Sequence, residues 1–172
     1  VWSPDDQDCV GKVPGSKVLV STKTATHIIA DVWLVKNSTV ERKRDALKAF
    51  VAGVLKGNGE INASAGAKDR AAKLLAAGFN QPEDFCKTAI ENARLVTYQD
   101  NVNFFDIDGK YSGVGGEKLY GRMALEFAKT RDKSGKPYIS GDVPPWRAIA
   151  DPSFIRSIQL TGNDQVAEDV VR

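Results

Sequence analysis

The sequence predicts an α/β fold that is rich in helix and poor in strands. Three observations predict it. Residues Ile28 to Val35 read IIADVWLV, a short and almost unbroken apolar run with β-branched and aromatic members. Such a run, lacking alternation, fits a strand buried on both faces. Soon after it, Leu47, Phe50, Val51, Val54 and Leu55 recur at the spacing of one helix face. Further helical patterns follow, while only two or three strand-like runs occur in the whole chain. With 172 residues and 42% hydrophobic content, the chain suits one globular domain with a real core, or one and a half small lobes.

The elements follow in order. Lys17 to Ser21 (KVLVS) reads as a short buried strand after the turn signal Pro14-Gly15-Ser16. Ile28 to Val35 is the second strand. Ser38 is placed to cap the helix that follows, with Glu41 completing a capping box. Glu41, Arg42, Lys43, Arg44, Asp45 and Lys48 make its early turns charged, and the alternation of signs marks a solvated face. Gly57 and Gly59 are expected to end it. If Leu47, Phe50 and Val54 form its core face, truncating Phe50 to alanine would cost about 3–5 kcal/mol.

A second helix is expected over Lys68 to Ala77, stopped by Gly78. A third opens at Pro82, with Glu83 and Asp84 where the helix dipole favours acids. Arg94 to Tyr98 (RLVTY) reads as a short strand and Gln99 to Gly116 as a loop. A fourth helix spans Glu117 to Thr130, with Tyr120, Met123, Ala124, Phe127 and Ala128 on one face. Lys129 to Pro145 is polar, rich in Gly and Pro, and reads as loop. Asp151 is placed to cap a last short helix at Pro152, and the tail after Thr161 has the composition of a linker.

Composition narrows the function classes. Charge is nearly balanced, with 24 Lys plus Arg against 22 Asp plus Glu, so no phosphate-tracking nucleic-acid surface is expected. Apolar runs fall far short of a membrane span. Cys9 and Cys86 are compatible either with one disulfide or with two buried thiols.

The chemistry-bearing patterns are few. His27 is the single histidine, so any nucleophile-base arrangement must be centred on it; its place at a strand end reads as structural. Asp106-Ile107-Asp108-Gly109 resembles part of a calcium loop, but Lys110 stands where an oxygen ligand belongs, so it reads as a turn. Val114-Gly115-Gly116 reads as an entry into the fourth helix rather than an anion cradle. Walker, dinucleotide and zinc patterns are missing, and no cofactor or metal is expected. Val1-Trp2-Ser3-Pro4-Asp5-Asp6 sets an aromatic face beside carboxylates, a combination suited to the wall of a ligand cleft.

At these residues the chain resembles the second half of an ABC-transporter periplasmic solute-binding protein of the nitrate, sulfonate, taurine and thiamine-precursor type. The resemblance rests on Val1-Trp2-Ser3-Pro4, Lys17 to Ser21, Ala30 to Val35 and Glu41 to Leu55. The segments Asn101-Val102-Asn103-Phe104-Phe105 and Asp151-Pro152-Ser153-Phe154 add to it. It covers roughly residues 1 to 160, and its motifs are loose and mostly structural.

The resemblance implies a partial type II periplasmic-binding fold. Residues 1–25 would be the end of the second lobe and the crossover, 26–160 the return portion of the first lobe, and 161–172 a linker-like tail. The chain would then be a fragment of a longer protein, and self-association would be one way to complete its sheet. The resemblance further implies a non-enzymatic protein of the periplasm or cell envelope that passes a small molecule to an ABC permease. Its cleft residues would be Trp2, Ser3, Asp5, Thr24, Thr26, His27, Asp100 and Asn101. Some relatives carry an OmpA-like, peptidoglycan-binding domain, which makes an envelope interaction module the alternative.

Overall fold

The computed structural model describes residues 5–22, 25 and 28–158. Over these residues the protein is helical, and the expectation of an α/β, partial type II periplasmic-binding fold is corrected. The helices are α1 (Asp5–Lys12), α2 (Asn37–Arg42), α3 (Arg44–Ala63), α4 (Ala65–Phe79) and α5 (Glu83–Asn92), followed by α6 (Tyr98–Phe104), α7 (Gly116–Lys129), α8 (Trp146–Ile149) and α9 (Ser153–Arg156). The β-pairing recorded among the described residues is a single bridge, Arg131 to Pro137. It closes a tight turn in which Asp132 Oδ1 accepts from the Ser134 and Lys136 amides.

Among the described residues, neither of the runs expected as strands, Lys17 to Ser21 and Ile28 to Val35, takes part in a β-bridge. Leu19 is 81% exposed and Leu34 91%. No backbone–backbone hydrogen bond among the described residues joins 28–35 to another segment. The physical reason is that a strand is stable only in company. Apolar, β-branched sequence favours extended backbone, but burial and ladder bonds must come from neighbouring strands. The third run is also not a strand. Leu95 and Val96 are held by side chains instead: the Asn58 amide donates to the Val96 carbonyl at 3.0 Å, and the Asn62 amide to that of Leu95 at 3.2 Å.

The chain forms two compact units, each assembled from separated stretches. One comprises Val1–Asp31 and Glu60–Leu95, the other Val32–Gly59 and Val96–Arg172. The core of the first unit is Ala72, Cys86 and Ile90, with Ile61, Ala71, Leu75, Ala76 and Phe85 against it. Helices α4 and α5 pack on each other there. Small residues on α4 let α5 approach closely. The core of the second unit is Ala52, Leu55, Val102, Ile155 and Ile158, supported by Val51, Tyr98, Phe105 and Ile107.

The main helix differs from expectation at both ends. Ser38 makes no cap; α2 begins after Lys36, and Lys43 leaves helical geometry at φ −129° and ψ 28°. Helix α3 then starts at Arg44, whose guanidinium bonds the Ser153 hydroxyl and lies 4.8 Å over the Phe154 ring. At the other end α3 runs through Gly57 and Gly59 to Ala63. Packing of Ile61 and the Asn58 and Asn62 bonds outweigh the weak helix propensity of the two glycines.

The buried face of α3 is Ala52 and Leu55. Phe50 is 51% exposed, its ring edge-on to Trp33 at 4.8 Å. Phe50→Ala is therefore expected to cost about 1 kcal/mol, well under a full core truncation. Urea denaturation of the variant checks this; a loss above about 3 kcal/mol would place Phe50 in the core after all.

The stretch read as a loop after Tyr98 holds α6. Thr97 accepts from the Asp100 amide at 3.1 Å, and the Asp100 carboxylate takes the Thr97 amide at 2.9 Å, a capping box with Asp in place of Glu. The expected helices at Lys68, Pro82 and Glu117 correspond to α4, α5 and α7. Ser64 starts α4 three residues before Ala67, whose amide it accepts at 3.1 Å. Asn80 ends it in the left-handed region at φ 50°.

Candidate functional site

The first unit carries a polar cleft of about 340 Å³. Asn62 and Ala63 of α3, the cap residue Ser64, Ala65, Lys68 and Asp69 of α4, and Lys87 and Glu91 of α5 line it. The local sequence explains the placement. Asp69 lies one turn before the buried Ala72, and Lys87 and Glu91 each follow a buried residue, Cys86 and Ile90. Packing of the small α4 face on α5 therefore sets charged side chains along one rim of the contact.

Across that rim Lys87 Nζ meets Asp69 Oδ1 at 2.7 Å. The Lys87 hydrogen bond, reinforced by its charge, holds the Asp69 carboxyl below its ordinary range. The same bond, with help from the Asp69 charge, raises Lys87. Both side chains are half exposed, so solvent screens the pair. Lys68 and Glu91 add one charge of each sign. The lining thus offers ammonium donors, carboxylate acceptors, the Asn62 amide and the Ser64 hydroxyl, a set that suits a small polar ligand rather than an apolar one.

A depressed carboxyl stabilises the fold above the carboxylate range and loses that contribution as pH falls through its folded value. Asp69→Asn should therefore flatten the acid limb of first-unit stability while leaving its neutral-pH fold intact. Labelling of the buried Cys86 thiol across a pH series reads this out; an unchanged acid limb would show that the pair contributes nothing.

The residues singled out from the sequence lie elsewhere or outside the described set. Trp2, Ser3, Thr24, Thr26 and His27 fall outside the described residues. Asp5 is exposed in the first turn of α1 beside Asp6 and Asp8, where the helix dipole accounts for three acids. Asp100 is spent on the capping box, and Asn101 Nδ2 donates to the Thr97 carbonyl at 2.8 Å. Asp100 and Asn101 thus fix the start of α6 in the second unit, and neither they nor Asp5 lines the cleft.

The Asp106–Asp108 segment is a turn: the Gly109 amide donates to the Asp106 carbonyl at 3.2 Å and the Tyr111 amide to Asp106 Oδ1 at 3.1 Å. Among the described residues, no group of three or more His, Cys, Asp or Glu is arranged to hold a metal ion. Cys9 is exposed and Cys86 buried, both as free thiols. Among the described residues no helix is long and apolar enough to cross a membrane.

Sequence reasoning passed over Asn62, Ser64, Lys68, Asp69, Lys87 and Glu91. Ser64 carried a signal, since a serine before an Ala-rich run is a helix cap. The charged residues carried none, because a Lys or Asp on an amphipathic helix reads as solvated surface. Comparison with protein-family models, curated proteins and solved structures finds no significant match to this chain.

Proposed function

We propose that this chain is part of a solute-binding component of the cell envelope, which holds a small molecule for ABC-type uptake and performs no chemistry on it. The observation that carries this reading is the cleft between α3, α4 and α5. Its volume of about 340 Å³ lies at the lower end of the range for small-molecule sites, and its lining offers both charges to a compact polar ligand. The sequence resemblance to periplasmic solute-binding proteins points to the same class of activity through its motifs, not through the fold it implied, which the helices replace.

Isothermal titration calorimetry with small inorganic anions, alkyl sulfonates and pyrimidines tests it. Binding of one class, weakened at least tenfold by Lys68→Ala or Lys87→Ala, is the expected result. No heat across the panel, or binding indifferent to both variants, would overturn the assignment to this cleft. The exposed run Ile28 to Val35 favours a second reading, an envelope interaction module whose apolar residues are covered by a partner. That reading gains if the titrations stay silent while Leu34→Lys abolishes a protein complex.

A further inference from the structure

Helix α3 belongs to both compact units. The boundary between them falls at Gly59 and Glu60, inside an unbroken helix that continues to Ala63. The local sequence is Lys56-Gly57-Asn58-Gly59-Glu60, which sets two glycines and an asparagine in succession. Glycine is the weakest helix former after proline, and asparagine is also poor.

Glycine is kept in a helix interior for one of a few physical reasons. A positive φ is one, but neither Gly57 nor Gly59 is among the positive-φ residues. Close approach of a neighbour is another, but a Cβ at either position would meet no atom within 4 Å. Neither conformation nor space calls for glycine here. What two glycines do supply is backbone freedom, and they supply it at the unit boundary.

The chain passes between the units three times, at Asp31–Val32, Gly59–Glu60 and Leu95–Val96, and the last is hydrogen-bonded to this stretch. Asn58 and Asn62, one helical turn apart, bond the Val96 and Leu95 carbonyls. Both bonds are solvent-exposed, so water competes for them whenever the helix opens. These two amides tie the stretch to Leu95 and Val96 from the side.

We infer that Gly57–Gly59 is a joint in α3, at which helical hydrogen bonding opens while the units on either side stay folded. The units then unfold as separate cooperative bodies. The proposal stands apart from the ligand reading and needs no ligand for its test.

Amide hydrogen exchange of the complete chain is the first measurement. The amides of Gly59, Glu60 and Ile61 are expected to exchange at least tenfold faster than those of Ala52 to Leu55. Gly57→Ala combined with Gly59→Ala should remove most of that difference, since the added methyls meet nothing. Exchange that rises steadily to Ala63 would mark ordinary fraying and overturn the proposal.

A second readout separates a joint from a merely weak helix. In a denaturant series, Cys86 labelling follows the first unit and Val102 amide exchange the second. Two midpoints in the parent chain, drawn together in the double alanine variant, are expected. Coincident midpoints in the parent, or a constant gap in the variant, would overturn it.

Discussion

Gly116→Val is expected to lower the stability of the second unit by about 3 kcal/mol, and Gly116→Ala by about 2. Gly116 is buried at the start of α7. A Cβ there would stand 2.7 Å from Trp146 Cη2 and Cζ2 and 2.8 Å from Phe104 Cε1. These are ring atoms, not the free ends of flexible chains. Trp146 cannot easily retreat, because Phe104, Phe105 and Tyr120 stand around it with ring centroids 5.9, 6.2 and 5.8 Å away. The Tyr120 hydroxyl is itself tied to the Pro144 carbonyl at 2.8 Å. The added methyls must therefore displace the aromatic cluster that fixes α7 and α8. Urea unfolding followed by near-ultraviolet circular dichroism measures the loss. Gly121→Ala on the same helix is the control. It meets no atom within 4 Å and should stabilise by about 0.5–1 kcal/mol. Equal stability in Gly116→Val and the parent would mean that the cluster has slack.

Leu55→Ala should cost the same unit about 3 kcal/mol. Leu55 is 4% exposed and packs in one cluster with Ala52, Val102, Ile155 and Ile158. Those partners come from α3, α6 and the end of α9, so the cavity would lie where three segments distant in sequence converge. Rigid neighbours on several sides limit collapse, which keeps the cost above that of removing the side chain alone. Denaturant titration of Leu55→Ala beside Phe50→Ala makes the comparison direct. A Phe50 variant less stable than the Leu55 variant would reverse the assignment of the α3 faces.

Both predictions depend on which face of a helix is covered, and that was only partly legible in the sequence. Pro82 with Glu83 and Asp84 announced α5, and the apolar spacing after Glu117 announced α7, because caps and helical periods act over a few residues. The face of α3 was harder to assign. Of the expected face, Leu55 enters the core and Val51 packs against it, but Phe50 is exposed and Ala52 is buried in its place; hydrophobic size favoured Phe50. Alanine won because a small residue admits close approach of other segments. Gly57 and Gly59 looked like a stop since local propensity alone would end a helix there. Distant contacts from Leu95 and Val96 carried it on to Ala63. Thr97 and Asp100 offered a capping signal within three residues, but β-branched RLVTY obscured it.

Ligand chemistry divides along the same line. The resemblance places Asp100 and Asn101 at a ligand cleft, yet both make hydrogen bonds that fix the start of α6. Asp69 and Lys87, separated by a helix end and a turn, become a 2.7 Å pair only once α4 and α5 pack. By itself the sequence determined the near balance of charge and most of the helices, since those follow from composition and from bonds between residues three or four apart. Only the tertiary structure decided that the apolar runs at Lys17 and Ile28 form no β-bridge among the described residues, that Phe50 falls outside the core that Leu55 enters, and that six scattered polar residues line one cleft. Pairing, burial and charge proximity are properties of segments brought together, and no local pattern encodes which segments those are.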